Sequence, residues 1–207
     1  MKSVWLTCCL LFGVAIAQIP VEEEPDHHAG FHNDLVYVLE PLFPPGHVTL
    51  EHTHRHDGAS VCIEGSVMRA KSPGQDWGEA RLLCEPGGVS VNENTGRTST
   101  HMVQNVGEKT THLRFIENLR EGGWTTFPPV SAEGLKVTRE SRAFRSYEVM
   151  PGSAPHTHAV PTVVVLISGE AATAGDPMSR AGAAVYIPAG QEHRVTGSGR
   201  VVEVEVR

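Results

Sequence analysis

Two stretches of the chain carry the same set of histidines. His52-Thr53-His54 is followed by a lone His101, and His156-Thr157-His158 by a lone His193. The two His-Thr-His pairs stand 104 residues apart, and a glycine (Gly65, Gly169) lies 11 residues beyond the second histidine of each. Imidazole is the commonest protein ligand for divalent transition metals. Histidines at i and i+2 share one face of a β-strand. A duplicated His-x-His with a distant third histidine is therefore a candidate for two metal sites, one per repeat.

The elements that must hold these side chains read as strands. Leu35–Leu39, Val61–Ile63, Leu113–Ile116, Val163–Ile167, Val185–Ile187 and Val201–Val206 are short β-branched or aromatic runs separated by Gly, Pro, Asn and Asp. Val201-Val202-Glu203-Val204-Glu205-Val206 alternates cleanly and predicts a half-buried strand. Twenty-one glycines and 14 prolines argue for many turns and against long helices. The chain is therefore expected to be all-β, a sandwich or barrel. The repeat places one unit at residues 31–118 and a second at 136–207, joined by a connector over 119–135. Residues 18–30 read as polar and mobile. From Gly65 to His101 is 36 residues but from Gly169 to His193 only 24. The additional stretch in unit one includes Lys71–Gly78 and reads as a hairpin tip or lid.

The first 17 residues have the form of a secretory signal peptide, with Lys2 ahead of an apolar run from Val4 to Ile16 and a small-residue Ala15-Ile16-Ala17 cleavage pattern. That places the mature chain in a secreted or periplasmic setting. The run is too short to span a bilayer, and no later segment is apolar enough to do so. The formal charge is −7. There is no basic stripe, which argues against nucleic acid or an anionic membrane as partner. Glu22-Glu23-Glu24-Pro25-Asp26 reads as a solvated acidic tail. His27, His28 and His32 read as surface residues. Cys62 and Cys84 survive processing. Each sits in an apolar run, so a disulfide and a pair of buried thiols are both compatible with the pattern.

With these motifs in view, the chain resembles the cupin superfamily in its two-domain (bicupin) form. Its first motif reads Gly46-x5-His52-x-His54 with Gly65 in unit one and Gly152-x3-His156-x-His158 with Gly169 in unit two. Its second motif is fuller in unit two, Gly182-x5-Pro188-x-Gly190-x2-His193, than in unit one, Gly88-x5-Asn94-x-Gly96-x4-His101. The resemblance implies two jelly-roll-like antiparallel β-barrels, each with an open pocket holding one divalent transition metal (Fe, Mn, Zn, Ni or Cu). The ligands it implies are His52, His54, His101 and His156, His158, His193. The glutamate usual in the first motif is absent: Gly58 and Thr162 stand in its place. Three neutral imidazoles leave the charge of the ion uncompensated, which favours an anionic or chelating ligand.

Further pocket candidates are His56, which continues the i, i+2 series, and Glu93, Asn94, Arg97 and Tyr186. Pro-Gly at 45–46 and 151–152 predicts type II turns ahead of the histidine strands. The primary functional expectation is an exported metal-dependent enzyme acting on a small molecule, with non-haem iron dioxygenase chemistry the natural form for a three-histidine site. The alternative is a non-catalytic cupin that binds a carboxylate, sugar or polyphenol. A storage role fits poorly with such short units. Pairing of barrels through their sheets is compatible with a homodimer, although two barrels in one chain already supply such a pair.

Overall fold

The computed structural model describes residues 18–122 and 126–207. Residues 1–17, read above as a signal peptide, and Trp124 of the connector lie outside the described residues. The N-terminal half runs β1 (Ile19–Pro20), a 3-10 turn (Val21–Glu23), β2 (His27–His32), β3 (Val36–Phe43), β4 (His52–His54), β5 (Asp57–Glu64), β6 (Val67–Lys71), β7 (Arg81–Leu82), β8 (Val89–Asn92), β9 (Ser99–Asn105) and β10 (Thr111–Asn118). The C-terminal half runs β11 (Leu135–Glu140), β12 (Phe144–Val149), β13 (His156–Thr157), β14 (Thr162–Ser168), β15 (Ala171–Thr173), β16 (Asp176–Met178), β17 (Ala184–Ile187), β18 (Glu192–His193), β19 (Val195–Gly197) and β20 (Arg200–Val206). As the β-branched content requires, each apolar run read from the sequence lies within one of these strands, except that Leu35 falls in the bend just before β3.

In the N-terminal half, one sheet has the order β2-β3-β10-β5-β8 and faces a second of order β1-β4-β9-β6-β7. The C-terminal half repeats the first sheet as β11-β12-β20-β14-β17, faced by the smaller β13-β18 and β16-β15-β19 sheets. The protein is all-β, as expected. Its sheets do not close into continuous barrels, so each half is a sandwich whose histidine strands lie in the sheet away from the molecular centre. Among the described residues one pairing departs from the antiparallel rule: β1 runs parallel to β4, with Ile19 opposite His52.

The two five-stranded sheets that match each other pack face to face. Val36, Val38, Ala59, Val61, Ile63 and Ile116 from one half interdigitate with Phe144, Val163, Val165, Val202, Val204 and Val206 from the other. This shared layer changes the reading of β20. Its alternation predicted one solvated face, yet Val201 to Val206 are all buried, Glu203 fully and Glu205 at 2% exposure. The valines at 202, 204 and 206 face the partner half, so the glutamates are left facing the interior of their own half. Burying two carboxylates requires partners, which the site supplies.

The N-terminal segment also departs from expectation. Residues 19–32 form β1, a turn and β2, with Val21 and Glu24 buried at 1% and 2% exposure. Glu24 accepts from Asp26 N (2.8 Å), Leu50 N (3.2 Å) and His27 Nδ1 (2.8 Å), which offsets the loss of water around its carboxylate. The segment is thus a strap laid against β4. Cys62 and Cys84 are joined as a disulfide.

Candidate metal centres

In the N-terminal half, β4 presents His52 and His54, and the register with β9 sets His101 directly opposite His52. The Pro45-Gly46 turn precedes β4, and Gly46 adopts a positive φ of 79°, open to glycine at little cost. One ring nitrogen from each of His52, His54 and His101 lies within 4.8 Å of the others, a spacing that could hold a metal ion. His52 Nδ1 donates to the Leu50 carbonyl (2.9 Å), which leaves Nε2 as the free ligand atom. That Nε2 is buried without a partner, as are both ring nitrogens of His54. Unpaired buried nitrogens cost free energy unless something binds them, so the set fits a cation. Burial, then the charge of His101 and His27, pushes the His52 pKa down to about 4. Burial and His27 do the same for His101. The rings are therefore neutral at ordinary pH and ready to ligate.

A cavity of about 540 Å³ opens on all three rings. Its walls are largely apolar, with Phe43, Met68, Leu113 and Phe115, while Arg69 and Arg81 add positive charge. The Lys71–Gly78 excursion borders it: Trp77 lies under Arg69 (5.0 Å) and Lys71 (5.1 Å) in cation–π contacts. His27, read from sequence as a surface residue, is 6% exposed, lines this cavity, and stands 4.9 Å from the His52 ring. His28 and His32 are exposed as expected.

In the C-terminal half, His193 stands opposite His156 across the β13–β18 pair. The turn read at 188–191 forms, with Gln191 N bonding Pro188 O (3.2 Å) and Gly190 N bonding His158 O (2.9 Å). Here the missing carboxylate is present after all, supplied from a different strand. Glu203 of β20 reaches His156 Nε2 (3.0 Å), His158 Nε2 (3.0 Å) and His193 Nε2 (3.3 Å). His156, His158, His193 and Glu203 together form a four-residue group that could hold a metal. Glu205 holds His158 Nδ1 (2.8 Å) and is itself held by Tyr147 Oη and Arg145. Burial opposes ionisation of Glu203, but the hydrogen bonds from His156 and His158, with the His193 ring close by, outweigh it and hold its pKa well below the usual range. Burial lowers the His158 pKa, yet Glu203 and Glu205 carry it up to about 9. The carboxylate fills the space in front of the rings, and all four side chains are at most 5% exposed. This centre is closed where the first is open.

The register explains the difference. Gly58 and Thr162 are equivalent positions, and so are Ser60 and Val164. Phe115 pairs with Ser60 and Glu203 with Val164, so Phe115 stands where Glu203 stands in the other half. The Phe115 ring packs edge-on against His54 at 5.0 Å. A Cβ at Gly58 would lie 2.3 Å from that ring, so the glycine makes room for the phenyl group. Glu117 is the counterpart of Glu205. It is 1% exposed, Oε1 lacks a partner, and burial together with Glu22 pushes its pKa up to about 8.

The remaining candidates scatter. His56 lies between β4 and β5, outside the triad, and its carbonyl accepts from Asn94 Nδ2 (3.1 Å). β4 has ended at His54, and the neighbouring Asp57, first residue of β5, accepts from Asn94 N and Thr95 N. Glu93 faces Arg142 at 3.4 Å, and Arg97 donates to the Glu93 carbonyl. Both line a smaller recess that also reaches His54 and His101. Tyr186 stacks on Phe31 at 5.1 Å and packs against the layer between the halves, away from both histidine sets. Sequence reasoning missed Glu203, Glu205, Glu24 and His27. The signal for the first two was the Glu-x-Glu alternation, read as solvent-facing.

No protein-family model matches the chain, and no curated protein matches its sequence. Solved structures do. Salicylate 1,2-dioxygenase from Pseudaminobacter salicylatoxidans superposes with a TM-score of 0.60 at 10% identity, over 88% of this chain and 77% of that one. The bacterial pirin YhhW from Escherichia coli in complex with nickel(II) gives 0.59 at 12%, over 87% and 90%. A cupin 2 conserved barrel domain protein from Leptotrichia buccalis gives 0.51 at 10%, over 93% and 100%.

Proposed function

Since the chain has the two-domain cupin fold, we propose that its N-terminal half is the working centre of a metal-dependent enzyme acting on a small organic acid, with dioxygenase-type chemistry. The observation that carries this reading is the asymmetry of the two histidine sets. Catalytic metal sites keep a position open and structural ones are closed by protein ligands. His52, His54 and His101 face a cavity, whereas His156, His158 and His193 face a carboxylate. We assign the C-terminal set a structural role.

His52 Nε2, with one nitrogen each from His54 and His101, would hold the ion. Fe(II) bound there would supply activation of dioxygen. The Leu50 carbonyl fixes the His52 ring, and Glu24 fixes Leu50 through its amide. Three neutral imidazoles would leave the charge of a bound divalent ion uncompensated, and Arg69 and Arg81, offset in part by Glu79, line the same cavity, so an anionic ligand is favoured. Phe43, Leu113 and Phe115 take the apolar body of such an acid and exclude water around it. The dioxygenase and the nickel-bound pirin of the same fold support metal-dependent chemistry without fixing the substrate. The disulfide supports an oxidising, extracytoplasmic setting for the mature chain.

The test is metal analysis after reconstitution, followed by oxygen uptake with a panel of hydroxylated aromatic acids, catechols, diketones and thiols. His101→Ala should abolish uptake, and Glu203→Gln should leave it within about threefold of wild type. Less than about a tenth of an equivalent of any transition metal would rule out the metalloenzyme. Full metal and tight binding of an organic acid without oxygen uptake would instead favour the non-catalytic binding protein.

A further inference from the structure

The N-terminal centre is bordered by two spaces of different chemistry. We propose that the second, a polar recess of about 370 Å³, is a separate binding site that brings a small inorganic anion to the histidines while an organic acid fills the main cavity. This deepens the functional reading above and rests on it for the role of the second ligand.

His54 and His101 line both spaces, while His52 lines only the main cavity. His54 is 5% exposed, and neither of its ring nitrogens has a partner. One nitrogen is enough for the shared centre. The other is left to hydrogen-bond a ligand on the recess side, which removes the cost of a second unpaired nitrogen. The recess itself is prearranged. Asn94, 3% exposed, is tied through N to Asp57 Oδ1 (2.5 Å) and through Nδ2 to the His56 carbonyl. Ser99 is paired with His54 across the β4–β9 ladder. Arg97 supplies positive charge, and its Nε to the Glu93 carbonyl (2.9 Å) is its one hydrogen bond among the described residues. The Glu93 carboxylate is turned to Arg142. Polar walls with a guanidinium tied only through Nε among the described residues suit a small anion and disfavour the apolar body of an organic acid.

The route is tested on the metal-free protein by carbethoxylation with diethyl pyrocarbonate and peptide mapping. Ala70→Trp, at the main cavity, should slow acylation of His52 by about fivefold or more and leave His101 reactive through the recess. Thr98→Trp, in the exposed recess loop, added to Ala70→Trp should then slow His101 as well. Equal slowing of His52 and His101 in Ala70→Trp, or no further slowing of His101 in the double variant, would overturn the second route. The ligand is tested on metal-loaded protein with azide and benzoate as probes. Arg97→Leu should weaken azide by about tenfold and leave benzoate unchanged. Equal affinity of wild type and Arg97→Leu for azide would overturn the anion assignment. If no metal loads, the functional reading fails on the metal count, while acylation still decides whether the recess reaches the histidines. Unaltered circular dichroism of each variant shows that it has folded.

Discussion

Glu24 is the residue on which the N-terminal centre leans from outside. One carboxylate oxygen accepts from Leu50 N, whose carbonyl accepts from His52 Nδ1, and the other accepts from His27. Burial opposes its ionisation, but His27 and the backbone amides hold the pKa down at about 2. Groups that orient a metal ligand typically matter by 10–100-fold in affinity. Glu24→Ala should therefore weaken metal at the N-terminal centre by about that factor, read by competitive chelator titration, and leave the C-terminal equivalent in place. Glu117 acts in the opposite sense. Its folded-state pKa is raised to about 8 from 4.5, so between those values the folded protein holds a proton that the unfolded chain releases. Stability from this group is present below pH 4.5 and is lost as pH rises through about 8. Glu117→Gln should raise Tm at pH 8.5 and change it little at pH 4, measured by calorimetry across that range.

At the scale of elements, β10 and β20 decide what each half can do. They are equivalent central strands, and one places a phenyl ring where the other places a carboxylate. The phenyl ring closes against His54 without filling the coordination space, so that centre stays open. The carboxylate occupies it. Gly58 belongs to the same arrangement because its missing side chain accommodates Phe115. Gly58→Ala should cost about 1–3 kcal/mol by overpacking. Adding Phe115→Ala should then cost less than it does in wild type, an interaction a double-mutant cycle in urea will show. Exchange of Phe115 for Glu should close the N-terminal centre in the manner of the other, with loss of organic-acid binding.

For the whole molecule, the two halves are fastened by the shared apolar layer and by polar ties across it. Glu40 of β3 accepts from His112 (2.8 Å) and Arg114 (2.9 Å) in its own half and from Arg180 (2.5 Å) in the other. Arg114 Nε in turn donates to the Gly182 carbonyl. Burial opposes ionisation of Glu40, but Arg180, Arg114 and His112 keep its pKa near 2, so this contribution is present above pH 4.5 and fades toward pH 2. Glu40→Ala leaves Arg114 buried without its carboxylate and should cost about 3 kcal/mol at pH 7, read from denaturant midpoints. The Cys62–Cys84 bridge closes a loop of 22 residues that borders the main cavity. Its removal by paired Cys→Ser exchange should cost about 3 kcal/mol on chain-entropy grounds.

By itself the sequence determined the repeat, the strand positions and the two histidine triads. Local rules govern all of these: i, i+2 spacing faces one way on a strand, Pro-Gly makes the turn ahead of it, and β-branched runs form strands. The tertiary structure decided which triad is open. Glu203 and His156 are 47 residues apart and meet only because β20 runs beneath the β13–β18 pair. The Glu-x-Glu face of β20 is indistinguishable in sequence from a solvated one. Only the burial of its valine face against the other half turns the glutamates inward. The acidic segment at residues 22–26 is the same case in reverse: its composition suits solvent, and pairing of Ile19–Pro20 with the histidine strand draws Glu24 into the interior. Which face of a strand meets water depends on what packs on the other face, and that is a property of the assembled halves.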